Sequence, residues 1–420
     1  MAETLGRDAG RHPGRDPSSA YGLLGMTEKP VIMKKINSIC RAVALAGVLS
    51  LAAGLSAPAA ILRAQPAEDE GQRLFRAHQD AVCQIQVLDL ASGKKSSIGS
   101  GFQFTAEGHL ATNFHVVAEA VHKPELYRIT AVRPDGPARP VTVLAVDVVH
   151  DLAVLRTDAP GPAFLRLGSS AMENGARIFS FGNPFDLGLS IVDGAYNGLM
   201  ENSLYQKILF SGSLNPGMSG GPAVNHDGEV VGVNVATQGN EISFLVPVEE
   251  LRALYQRSPA PPVDAAPGWS GQIEQQLLGN QDRYLEQILS AAWEPLSMGP
   301  AAVPGEMTPA FKCWGDSWYR DRDWLDGSFV QCSTDDEIYV SSELSTGMIF
   351  YRYGWLTAKG NNPVRFYNEY ERLFRQVDDY PNAGEEEAGN FECTAGFVDL
   401  SGHDFKVTFC ARRYKRYPRL

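Results

Sequence analysis

At 420 residues, with 44% hydrophobic and 20% charged residues, the chain has a globular composition and length for two or three domains. Its net charge of -12 excludes the basic footprint that a nucleic-acid partner requires.

Residues 1–32 are rich in Gly, Pro, Arg and Asp and precede an otherwise complete export signal, which points to an over-extended start with Met33 as the initiator. From Met33, the basic Lys34, Lys35 and Arg41 lead into an apolar run from Ala42 to about Leu55. Small residues then surround Ala57 and Ala59, the order found in a signal peptide. The run is short for a bilayer span, so residues 33–64 are expected to be a cleaved signal. The product is then periplasmic or secreted, by a bacterial route, without stable membrane insertion.

From about Gln72 to Tyr255, short β-like runs such as "VCQIQVLDL", "GHLATNFHVV", "LAVLRT", "ARIFSFG" and "GEVVGVNVAT" alternate with Gly, Pro, Asn and Asp. This predicts an all-β region over 65–257, closed by a helix at "PVEELRALYQ". The stretch 258–271, "SPAPPVDAAPGWSG", carries prolines that support neither ladder nor helix interior, and it is read as a linker. Beyond it, residues 272–420 predict a separate α+β domain. Ile273, Leu277, Tyr284, Leu285, Ile288 and Leu289 recur at helical spacing, Asn362-Pro363 opens a second helix, and strands such as "EIYVSSEL", "GMIFYRYGW" and "DFKVTFCARRY" lie around them. The aromatic residues of this region, among them Trp314, Trp318, Tyr319, Trp324, Tyr351, Tyr353 and Trp355, are expected to be mostly core.

Chemistry concentrates at "LNPGMSGGPAV". A serine hydroxyl is a poor nucleophile without a base and a group that orients the base, so Ser219 needs a His and an Asp elsewhere. His115 in "ATNFHVV" and Asp151 in "VVHDLAVL" supply them in the chain order His, Asp, Ser. "TNFHVV", "HDLAVL" and "NPGMSGGP" resemble the His, Asp and Ser boxes of chymotrypsin-like (trypsin-like) serine proteases, nearest to the bacterial HtrA/Deg type. "GSGFQF", "GNPF", "GEVVGVN" and "ISFLVP" add to the resemblance, which covers roughly residues 75–255.

The resemblance implies two six-stranded β-barrels with the triad between them. Ser219 would attack the scissile carbonyl, His115 would take and return the proton, and Asp151 would hold the imidazole. The N–H groups of Gly217 and Ser219 would form the oxyanion hole, and Ser213 would lie near the base of the primary pocket, walled by "TQGNEISF". Two departures stand out. Met218 precedes the nucleophile where digestive relatives carry an aspartate, and nothing after Pro261 resembles a PDZ domain. The expected partners are polypeptide substrates; no cofactor or metal is called for. A catalytically idle, protein-binding version of the same fold is the competing reading, and protein quality control is one expected role.

Four cysteines follow the linker: Cys313, Cys332, Cys393 and Cys410. A two-residue turn at Ser401-Gly402 would set Cys393 opposite Cys410, which leaves Cys313 for Cys332. Cys83 shares a face with Ile85 and Val87 and is expected to be a buried thiol.

Overall fold

The computed structural model describes residues 69–420 apart from 135, 238–240, 259–267, 319–323, 335, 361, 376–383, 385 and 401–402. The expected start segment and signal peptide, and most of the proline-rich linker, lie outside the described residues. No helix among the described residues is long and apolar enough to cross a membrane.

The chain enters through α1 (Glu70–His78), which buries Leu74. It continues into β1 (Val82–Asp89), β2 (Lys95–Gln103), β3 (His109–Thr112), α2 (Phe114–His122), β4 (Tyr127–Val132), β5 (Arg139–Pro140), β6 (Thr142–Asp147) and β7 (Leu152–Arg156). These strands form one sheet in the order β5-β4-β1-β2-β3-β7-β6. The two-residue β5 adds a strand to the six the resemblance implies; Pro140 has no N–H to carry a ladder further, which keeps it an edge. Next come β8 (Arg177–Gly182), β9 (Ser190–Leu199), β10 (Ile208–Phe210), β11 (Pro222–Val224), β12 (Val230–Thr237) and β13 (Ser243–Pro247), which close a six-stranded barrel. The helix α3 (Val248–Arg257) follows and buries Val248, Leu251 and Leu254.

One element departs from the sequence reading. "GHLATNFHVV" was expected to run as strand, yet β3 ends at Thr112 and α2 begins at Phe114. Phe114, Val116, Val117, Ala118, Ala120 and Val121 are all buried, so α2 is apolar on nearly every side. Its polar stripe is narrow, only His115, Glu119 and His122 at i, i+4 and i+7, and its β-branched valines favour a strand by local propensity.

The rest of the chain holds α4 (Ser270–Ser290), β14 (Pro295–Met298), β15 (Ala301–Pro304), β16 (Phe311–Trp318), β17 (Leu325–Thr334), β18 (Ile338–Ser341), β19 (Leu344–Thr346), β20 (Phe350–Ala358), α5 (Pro363–Arg375), β21 (Glu392–Leu400) and β22 (His403–Ala411). Asn362 Oδ1 accepts the Arg365 N–H at 3.0 Å, the expected N-cap with proline at the first helical position. Cys313 and Cys332 face each other across β16 and β17 and form a disulfide with Cα atoms 4.1 Å apart. In the β21–β22 hairpin Cys393 stands opposite Cys410, and Cys393 is disulfide-bonded. Cys83 is a free, buried thiol whose pKa burial pushes up to about 12.

Leu285 and Leu289 lie on the open side of α4, 39% and 78% exposed, while Ile273, Leu277 and Ile288 are buried. One expectation for this region needs correction: the aromatic residues are not mostly core. Trp314 is 73% exposed, Trp355 is 37% exposed, and Trp318, Tyr351 and Tyr353 are half-buried, since they stand on the open three-stranded sheet β16-β17-β20; Trp324, just before β17, is half-buried too. Tyr319 lies outside the described residues.

The apolar core also crosses the linker. Ile273 and Leu277 of α4, Ile338 and Val340 of β18, Leu344 of β19 and Tyr417 belong to the same buried cluster as Ile85 of β1 and Val116, Val117 and Val121 of α2. Gln276 reinforces the seam: its Oε1 accepts the Val148 N–H at 2.9 Å and its Nε2 donates to Val146 O at 2.8 Å. A chain truncated after Ser258 would bare this face. With each fully buried apolar side chain worth about 1.5–3 kcal/mol, truncation is expected to lower the melting temperature by about 10 °C or more. A thermal melt of the truncated chain checks this.

Candidate active site

The site forms where the two β units meet. Asp151, in the turn from β6 to β7, has a positive φ of 55°, a conformation costly for a residue other than glycine and common only where surrounding contacts hold it. Those contacts come from the start of α2. Asp151 O accepts the Phe114 N–H at 3.2 Å and Asn113 Nδ2 at 2.8 Å, while its carboxylate Oδ1 accepts the His115 N–H at 2.8 Å. Asp151 thus satisfies donors that a helix leaves unpaired in its first turn, and places negative charge at the positive end of the helix.

The same carboxylate receives the side chain. His115 Nδ1 lies 2.6 Å from Asp151 Oδ2, and a carboxylate can only accept, so Nδ1 carries the proton and Nε2 presents a lone pair. The imidazole is 30% exposed and the carboxylate 17%. Burial alone would lower the pKa of His115; the Asp151 charge and hydrogen bond together outweigh it and leave it raised above its ordinary value. The adjacent His150 turns elsewhere, to Asp147 Oδ2 at 3.0 Å, where Arg257 also docks, and its role is to hold α3.

Ser219 reaches this pair through close backbone approaches that only glycine allows. A Cβ at Gly220, whose φ is +84°, would lie 2.3 Å from both Ser100 O and Thr112 Oγ1. A Cβ at Gly99 would sit 2.5 Å from a Val116 methyl and 3.1 Å from Ser219 O. Ser219 Oγ donates to Val235 O at 3.4 Å, and no bond to His115 Nε2 forms among the described residues. Val235 sits at an irregularity in the β12–β13 register, which turns its carbonyl out of the ladder. Catalytic hydrogen bonds often tighten only once substrate is bound, so this geometry leaves open a serine–histidine bond in the bound state.

The backbone around Ser219 is set by its carbonyls. In a trans peptide the C=O and N–H point opposite ways, so a fixed carbonyl also aims the N–H. Pro216 O accepts the Phe185 N–H at 2.8 Å, which aims the Gly217 N–H away from the Phe185 loop. Met218 O accepts the Gly221 N–H at 3.0 Å and Asn234 Nδ2 at 3.1 Å, which does the same for the Ser219 N–H. Neither the Gly217 nor the Ser219 N–H donates to a protein acceptor among the described residues. Gly217, with φ +95°, must be glycine here, since a Cβ would fall 2.4 Å from Asn183 O.

Several residues that sequence reasoning missed hold this arrangement. Ser100 Oγ donates to Gly217 O at 2.7 Å and accepts the Asn183 N–H at 2.9 Å. Asn234, fully buried, donates to Phe181 O at 2.9 Å as well as to Met218 O, and accepts Ser180 Oγ at 2.7 Å. Asp186 ties the Phe185 loop to Lys95 Nζ at 2.7 Å and Gln84 Nε2 at 2.8 Å, with positive φ at both Phe185 and Asp186. Met218 is fully buried among Ile178, Phe210 and Val231, so this side chain is a core filler with no charge to pair. Ser213 is exposed, and residues 238–240 of the expected pocket wall lie outside the described residues.

The family description "Trypsin-like peptidase domain" matches residues 99–233. The chain is 34% identical over 221 residues to the mitochondrial serine protease HTRA2 of Bos taurus, covering 49% of this chain and 44% of that protein. It is 30% identical over 195 residues to the HTRA2 of Drosophila pseudoobscura pseudoobscura, covering 43% of this chain and 45% of that protein. It therefore spans less than half the length of these relatives. Among solved structures, Deg5 is 26% identical with a TM-score of 0.39, covering 45% of this chain and 93% of that one. The HtrA-type protease AlgW with a decapeptide is 24% identical with a TM-score of 0.39, covering 44% of this chain and 68% of that one. Residues 99–233 thus match a trypsin-like peptidase domain, and over about half its length the chain is similar to serine proteases of the HtrA type.

Proposed function

We propose that the chain is an exported serine endopeptidase that cleaves polypeptides through an acyl-enzyme. Ser219 Oγ attacks the scissile carbonyl and passes its proton to His115 Nε2; the imidazolium, held by Asp151, then returns that proton to the leaving amine. Negative charge developing on the carbonyl oxygen is received by the Gly217 and Ser219 N–H groups, each such donor being worth about 3 to 4 kcal/mol in the transition state. Water then hydrolyses the acyl-enzyme by the same proton route. The observation that carries this reading is the pair of unengaged N–H groups of Gly217 and of Ser219 itself, together with an imidazole bonded to a carboxylate at 2.6 Å.

Export to a periplasmic or extracellular compartment is supported by the disulfide between Cys313 and Cys332, since such bonds persist in oxidising surroundings. Unfolded polypeptides, as in protein quality control, are the substrates we propose. The test is hydrolysis of an unfolded protein such as casein. Wild-type chain is expected to degrade it and Ser219→Ala to lose that activity with its melting temperature nearly unchanged; equal degradation by both would overturn the reading.

A further inference from the structure

Tyr339 comes from β18, well beyond the linker, and its ring meets the His115 imidazole edge to face, with centroids 6.0 Å apart and planes at 72°. The hairpin that carries it is firmly held. Ile338 and Val340, on either side of Tyr339, are 2% and 0% exposed in the core shared with α2. Val340 O also lies 2.7 Å from His122 Nε2 at the far end of α2. His122 is neutral at physiological pH, its pKa lowered to about 4 chiefly by burial, so this bond is an N–H donation from a neutral ring. Tyr339 itself stays half-buried, with its ring on a catalytic-site residue that is still 30% exposed. Tyr339 also packs against the rim of that core, so its ring is held from behind while it meets the imidazole.

We propose that Tyr339, from the region beyond the linker, is a positioning residue for His115. This rests on the endopeptidase reading above. An aromatic edge on the imidazole limits its rotation about χ2 and screens one face from water. With the Asp151 bond fixing the opposite side, the ring is confined to the orientation that presents Nε2. Asp151 is the carboxylate that acts on His115; Glu119 of α2 and Glu343 beside β19 act on Tyr339. Burial first, then those carboxylates together with Asp151, push the phenol up to about 12, so Tyr339 remains a neutral wall across the working pH range.

The experiment compares full-length wild type, Tyr339→Phe, Tyr339→Leu and Tyr339→Ala. It reads labelling of Ser219 by a fluorophosphonate, kcat and KM on a short peptide substrate, and the pH profile of kcat/KM. Wild-type labelling is the control for the underlying reading: if wild type does not label, it is the peptidase assignment that fails. Given labelling, Tyr339→Phe is expected to keep wild-type values because it keeps the ring. Tyr339→Ala and Tyr339→Leu are expected to lose about tenfold in kcat/KM, the size of one aromatic pair. The acid limb of their profile should also move to higher pH, because water admitted to the imidazole stabilises its protonated form. Tyr339→Leu keeps an apolar anchor on β18 but not the ring that covers the imidazole, and decides the matter if the alanine variant folds poorly. Wild-type kinetics and an unmoved acid limb in folded Tyr339→Leu would overturn the proposal while leaving the peptidase assignment standing.

Discussion

Asp151→Asn is expected to lower kcat by about four orders of magnitude, the loss seen when a triad aspartate becomes an amide and the imidazole is held in the wrong tautomer. Asparagine tolerates positive φ, so the strained turn at 55° should survive the change. The pH dependence should move as well. On the proposed mechanism, activity needs neutral His115 and is lost as pH falls through its pKa, which Asp151 holds above the ordinary value. Removing that charge lets burial dominate and lowers the pKa, so the acid limb of kcat/KM shifts toward lower pH. A limb that stays in place would mean that Asp151 does not act on the base.

Asn234→Ala should cost both stability and rate. Its side chain gathers three buried partners, Phe181 O, Met218 O and Ser180 Oγ, and truncation leaves them without a replacement of matching shape. Each buried group left unpaired costs about 1–3 kcal/mol, so a total loss of about 3 kcal/mol or more is expected from denaturant unfolding. Met218 O would keep only the Gly221 N–H, and the peptide that aims the Ser219 N–H would loosen. A fall in kcat of about ten- to a hundredfold, with KM little changed, is expected for partial loss of one oxyanion donor. A destabilised variant with full kcat would show that Asn234 supports the barrel alone.

Much of the peptidase region was legible because its cues are local. Glycines at 217 and 220 advertise close backbone approach, β-like runs alternate with turn residues, and His115 and Asp151 sit in short motifs whose side chains do meet. The register of β21 and β22 was legible from one turn, since pairing outward from Leu400 and His403 brings Cys393 to Cys410. α2 escaped because its polar stripe is only three residues, His115, Glu119 and His122, while its buried valines read locally as a strand. Ser100, Asn234 and Tyr339 escaped for another reason. Each acts through a contact that joins distant parts of the chain, and neither spacing nor residue type marks such a contact beforehand. The seam between α4, β18 and α2 was hidden in the same way: proline-rich composition signals an irregular backbone, and that says nothing about whether the elements on either side share a core.

Fluorophosphonate labelling of the full chain, with the modified residue located by mass spectrometry, tests the serine chemistry most directly. Such a probe reacts only with a serine whose proton is taken by a neighbouring base and whose adduct is held by oxyanion donors. A single adduct on Ser219 is expected, absent from Ser219→Ala and sharply reduced in Asp151→Asn. Folded wild-type protein that stays unlabelled, or a Ser219→Ala variant labelled as fully as wild type, would contradict it.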